Sequence, residues 1–195
     1  MPQIIVNAIL NAWEQTCCHI ASGHADQFAG RRKEGLVFSH VGAIVTASPG
    51  IGAASEVGFE TWMIDLVGSR ERIKVAVEGK YKTCGDGAVP DNRKAAFFDL
   101  YKLEQYVDRE DYSRGIFLWL TNQKDYLRAA NGDSADFSTH EGRVYKSGAA
   151  LHANRARNSQ MPLPFTLSRS YQFSWKRIQG TDWHALVIDI KPKIG

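Results

Sequence analysis

The sequence predicts an α/β chain of the α+β kind, a single domain built on a mixed β-sheet flanked by helices. Three observations carry that reading. Two apolar stretches, Val57 to Val67 and Ile73 to Lys82, flank a polar turn at Gly68 to Arg72, which is the pattern of an antiparallel hairpin. Gly115 to Thr121 is continuously apolar between turn signals, as expected of a strand buried on both faces. Between them, Asn92 to Val107 forms a helix whose Ala95, Phe98, Tyr101, Leu103 and Tyr106 are available for packing.

The remaining elements follow in chain order. Ile5, Ile9, Ala12, Trp13, Cys17 and Ile20 recur at helical spacing, so residues 3 to 22 form a helix that Gly23 ends; Asn7, Asn11, Glu14 and Gln15 make its polar face. Residues 35 to 47 are apolar and fit helix or strand. Ser48-Pro49-Gly50-Ile51-Gly52 is a turn, and its Gly-x-Gly lacks the third glycine of a dinucleotide loop. Residues 84 to 91 form a loop, Gln123 to Ala130 a short helix, Asn131 to Asp136 a polar loop, and Ser147 to Arg157 another helix. Two strands, Tyr171 to Ile178 and Trp183 to Ile190, close the chain around Gln179 to Asp182. The single domain spans 1–195, with a motif-bearing core over about 1–122 and an elaboration over 123–195.

With 195 residues, 44% hydrophobic and 23% charged, the composition is that of an ordinary soluble domain. No run approaches the roughly 18 apolar residues of a membrane span. Met1 to Ala12 has no basic cluster ahead of its apolar residues, so no signal peptide is expected and the expected location is cytoplasmic. A net charge of +3 permits a polyanionic partner without requiring one. Arg31-Arg32-Lys33, Arg70 to Lys74, and Arg155 with Arg157 are local basic clusters, each more simply a solvated face. Three cysteines, two of them vicinal, argue for a reducing compartment. Cys17-Cys18-His19 with His24 lacks the second ligand pair of a zinc site.

The chemistry concentrates in Asp65, at the end of one apolar run, and Glu78-Gly79-Lys80 within the next. Residues two apart on a strand share a face, so Glu78 and Lys80 project together while Val75, Val77 and Tyr81 point into a core. Asp65 and Glu78 supply hard oxygen ligands suited to Mg²⁺, for which Mn²⁺ can substitute, and Lys80 an ammonium for phosphate charge. The bland alternative is a surface hairpin on which Lys74, Glu78, Lys80 and Lys82 make one solvated stripe.

The pattern Asp65-x12-Glu78-x-Lys80, with a helix before it and a helix and buried strand after it, resembles the PD-(D/E)XK nuclease superfamily. Ile64 stands where that family has proline. The resemblance implies a restriction-endonuclease-like core and a metal-dependent nuclease acting on DNA, in restriction, defence or repair. It also implies Asp65, Glu78 and the Gly79 carbonyl as metal ligands, Asp65, Glu78 and Lys80 as the catalytic set, and a possible homodimer. A turn centred near Glu71-Arg72 brings Asp65 opposite Glu78, whereas a tighter one favours Glu60. Glu14 or Glu56 could complete the acidic set, and Lys82, Arg93 and Lys94 could meet phosphates. His140 and Arg143 have no assigned role, and Trp175 could stack on a base. The competing reading is a nuclease-fold nucleic-acid-binding or assembly module that does not cut. A small-molecule enzyme on an unrelated fold has no nucleophile-elbow, P-loop or zinc signature to support it.

Overall fold

The computed structural model describes residues 2–30, 33–60, 62–152 and 164–193. Helices α1 (Pro2–His19) and α2 (Lys33–Thr46) precede a three-strand meander, β1 (Gly52–Phe59), β2 (Trp62–Arg70) and β3 (Ile73–Lys82). Helix α3 (Val89–Asp108) crosses over to β4 (Arg114–Thr121), which runs parallel to β3. The last third contributes β5 (Val144–Tyr145), β6 (Ala150–Leu151), β7 (Phe165–Thr166), β8 (Tyr171–Gln172), β9 (Lys176–Arg177) and β10 (His184–Ile190). The main sheet has the order β1-β2-β3-β4-β10-β9 and mixes parallel with antiparallel pairs, so the fold is α+β with helices on both faces.

Two cores lie on opposite sides of this sheet. On one side α1 presents Ile5, Val6, Ile9, Ala12 and Trp13, and α2 presents Val37, Phe38, Val41 and Val45, to Leu66, Val75, Val77 and Tyr81. Each of the larger apolar side chains contributes about 1.5–3 kcal/mol by leaving water. Helix α1 follows its predicted period but ends at His19, and the chain leaves it through a turn in which Gly23 takes φ +107°. The ambiguous stretch 35–47 is helix α2. On the other side α3 packs Ala96, Phe97, Leu100, Leu103 and Tyr106 against Ala76, Phe117 and Trp119.

Four expectations are corrected. Val57 to Val67 is not one strand: the chain reverses after Phe59, where Glu60 takes φ +53°, and β1 begins at Gly52 inside the expected turn. The buried face of α3 adds Ala96 and Phe97 to Leu103 and Tyr106, whereas Phe98 is only half-buried, packed on Trp62 and Phe165, and Ala95 lies at the margin. Residues 147–152 hold the short strand β6 instead of a helix, and 153–157 lie outside the described residues. Tyr171 to Ile178 divides, with β8 pairing to β5 and β9 to β10.

The last third is fastened to α3. The buried Glu104 carboxylate accepts the Ser168 N–H at 2.7 Å, the Arg169 N–H at 2.9 Å and the Tyr171 hydroxyl at 2.6 Å. Phe173 and Tyr145 pack on Phe97 of the same helix. Among the described residues no helix is long and apolar enough to cross a membrane.

Candidate active site

The β2–β3 hairpin turns on Glu71 and Arg72, with Glu71 at φ +56° and a register that pairs Arg70 with Ile73 and Leu66 with Val77. Continued by one residue, that register sets Asp65 against Glu78, the arrangement the looser turn requires. The ladder stops at Leu66–Val77, however, and on the other side the β1–β2 pairing skips Glu56 and Asp65. Glu56 sits there at φ +51°, a left-handed conformation that interrupts the ladder. Asp65 is thus the point where β2 parts from β3. Its side chain takes over the missing backbone contact, with Oδ2 accepting the Gly79 N–H at 2.8 Å.

Glu78 and Lys80 share a face, and that face is covered by α3 rather than open to water. Glu78 is 1% exposed. Its Oε1 meets Lys102 Nζ at 2.9 Å and accepts from the Tyr106 hydroxyl at 3.4 Å. Asp99 joins the group through two ion pairs, to Lys80 and, at 2.9 Å, to Lys102. Three carboxylates and two ammonium groups therefore converge where β2 and β3 separate. Helical spacing puts Asp99 and Lys102 one turn apart on the same side of α3.

Burial sets the protonation behaviour. It pushes the Asp65 carboxyl up to about 6, and the neighbouring Lys80 offsets only part of that rise. Burial, and then the Asp99 charge, raises Glu78 against the pull of Lys102. Burial also raises Asp99, but Lys102 and Lys80 outweigh it and hold Asp99 below the usual carboxylate value. For Lys80 burial works against the charge, yet Asp99, Glu34 and Asp65 keep the ammonium above the ordinary lysine value.

Asp65 also lines a cleft of about 540 Å³ with Lys33, Glu34, Glu56 and Lys82. Glu34, in the first turn of α2, accepts the Tyr81 N–H at 3.2 Å and the Lys82 ammonium at 2.7 Å. Glu56 reaches toward the same helix, within 2.9 Å of where a Cβ on Gly35 would stand. Of Glu14, Glu56 and Glu60, the candidates to complete the acidic set, Glu56 alone lines this cleft. Glu14 is exposed and pairs with Lys176 across 3.4 Å, and Glu60 is exposed and pairs with Arg109 at 2.8 Å. Glu14→Ala and Glu60→Ala are expected to shift unfolding free energy by less than about 1 kcal/mol each, with any cleavage activity held within about twofold. Denaturant titration and a cleavage assay check both.

Sequence reasoning missed Glu34, Asp99 and Lys102. An Asp-x-x-Lys on the helix after a Glu-x-Lys strand was the available signal for two of them. Arg93 is no phosphate ligand, since its Nη2 donates to the Asp125 and Arg128 carbonyls. Trp175 packs on Trp119 and donates from its indole to the Thr139 carbonyl at 2.7 Å, which makes it part of the core. His140 bonds Ser138 at 2.7 Å, and Arg143 lies over the Tyr145 ring. Cys17, Cys18 and Cys84 are free thiols. No family model, no curated protein and no solved structure matches the chain.

Proposed function

We propose that the chain is a metal-dependent nuclease that hydrolyses DNA phosphodiester bonds, with Asp65, Glu78 and Lys80 as its working set. One observation carries the reading. Asp65 is a partly buried carboxylate whose only bonded partner among the described residues is a backbone N–H, at the strand separation where Glu78 and Lys80 also lie. A desolvated carboxylate with unused lone pairs and no bonded cation fits a divalent ion. Asp65, Glu78 and the Gly79 carbonyl are the oxygens that would hold Mg²⁺ or Mn²⁺. The ion would supply a water of lowered pKa and charge compensation for the scissile phosphate.

The chain's own residues do the rest. Asp99 keeps Lys80 protonated and aims its ammonium along the same face, so that it stabilises charge developing on phosphate oxygens. The Gly79 carbonyl accepts from Lys80 Nζ at 3.2 Å, which couples the lysine to a ligand oxygen. Lys33 and Lys82 line the cleft paired to Asp86 and Glu34, and would meet flanking phosphates by exchanging those carboxylates. The order of helix, strands, helix and buried strand agrees with the superfamily resemblance and supports the same reading.

The test is incubation of purified protein with duplex, single-stranded and branched DNA in Mg²⁺ or Mn²⁺. Cleavage is expected, with losses of about 10³-fold or more on chelation with EDTA or in Lys80→Ala. Cleavage that survives both would sink the assignment. A second reading, a nuclease-fold module that binds without cutting, is favoured by the ion pairs that already neutralise Glu78 through Lys102 and Lys80 through Asp99. It predicts no divalent binding by calorimetry.

A further inference from the structure

Lys102 reaches from α3 into the gap between carboxylates of two different elements. Its Nζ lies 2.9 Å from Glu78 Oε1 on β3 and 2.9 Å from Asp99 Oδ1 on its own helix. Glu78, Asp99 and Lys102 are each less than a tenth exposed, and the ammonium stands 6.0 Å from the centre of the Phe98 ring. It is a fixed internal cation that the working set of Asp65, Glu78 and Lys80 does not use. An ammonium that joins a proposed metal ligand to a second carboxylate stands where a two-ion site puts its other ion.

Charge balance points the same way. With Glu78 ionised, as metal ligation requires, Asp65, Glu78 and Asp99 carry one negative charge more than Lys80 and Lys102. One divalent ion and one phosphodiester bring that cluster to neutrality. A second divalent ion leaves two unmatched positive charges among side chains largely closed to water, where unpaired charge is costly. The other charged groups of the cleft do not alter the count. Lys33 is paired with Asp86 and Lys82 with Glu34, and Glu56 is exposed to screening solvent. We propose that the site takes a single divalent ion and that Lys102 fills the place of a second, as a positioning residue that holds Glu78 and balances its charge. This rests on the nuclease reading of the Asp65 cleft.

The experiment counts Mn²⁺ on the purified full chain without DNA, by calorimetry and by the electron paramagnetic resonance of the bound ion. The parent is expected to bind one ion per chain into the millimolar range, with the spectrum of an isolated Mn²⁺. Lys102→Met keeps most of the side-chain volume and removes the ammonium, so it is expected to bind two, with the spectrum of a coupled pair. Adding Asp99→Asn to that variant removes the surplus carboxylate and returns the count to one, which a purely structural lysine would not do. Two coupled ions on the parent, or one on Lys102→Met, overturn the role of Lys102 and leave the nuclease reading standing. If Lys102→Met does not fold, the count and spectrum of the parent decide alone. A parent that binds no ion overturns the inference, and one that also leaves DNA uncut removes the nuclease reading.

Discussion

Replacing Asp65 with asparagine is expected to raise the thermal midpoint of the metal-free protein at pH 8 while lowering metal-dependent cleavage about 10³-fold or more. The two effects share one cause. The Asp65 carboxyl has a folded-state pKa of about 6 against an ordinary value of 3.8, so the folded chain binds more proton than the unfolded one between those values. Stability therefore falls as pH rises from about 4 to about 6, and at higher pH the ionised group costs about 2–3 kcal/mol. Asparagine keeps an oxygen for the Gly79 N–H and removes the charge. Its melting curves should lose the Asp65 share of the decline between pH 4 and 6. Mg²⁺ should raise the midpoint of the parent protein at pH 8 and leave Asp65→Asn unmoved. A variant less stable than the parent at pH 8 would show that the ionised carboxylate serves the fold.

Gly79→Ala is expected to lose about 4 kcal/mol or more, or to leave no soluble folded protein. A Cβ at this position would stand 2.3 Å from the Leu118 carbonyl oxygen and 2.4 Å from the Phe38 ring. Gly79 is paired with Leu118 in the parallel β3–β4 ladder, so the backbone cannot give way without breaking central hydrogen bonds. The glycine between Glu78 and Lys80 is thus a packing requirement that holds whatever the chemistry of its neighbours. Circular dichroism and denaturant unfolding of the variant check this, and near-parental stability would mean that β4 or α2 repacks freely.

Part of this arrangement was legible because it is local. Alternation along β3 put Val75, Val77 and Tyr81 on one face and Glu78 with Lys80 on the other, and β4 announced its double burial by an unbroken apolar run. The Glu71-Arg72 turn was within reach from register alone. The reversal at Glu60 was not, because the apolar alternation runs through it and the turn uses a glutamate in a left-handed conformation instead of glycine or asparagine. Asp99 and Lys102 were read past for a different reason. A charged pair on a helix looks solvated until the partners that bury it, Glu78 and Lys80, are placed opposite across a crossover connection. Glu34 was hidden because its helix could not be told from a strand.

The Glu104 contacts have a consequence for synthesis. The strands and helix that carry Asp65, Glu78, Asp99 and Lys102 are complete once β4 has emerged, yet Ser168, Arg169 and β10 come some 50 to 70 residues later. Until they arrive, β4 is a bare sheet edge lined by Phe117, Leu118 and Trp119, and the Glu104 carboxylate has only water in place of Ser168, Arg169 and Tyr171. A nascent chain in that state offers a sticky strand to any neighbour. The late segment therefore acts during translation as the cover that ends this exposure.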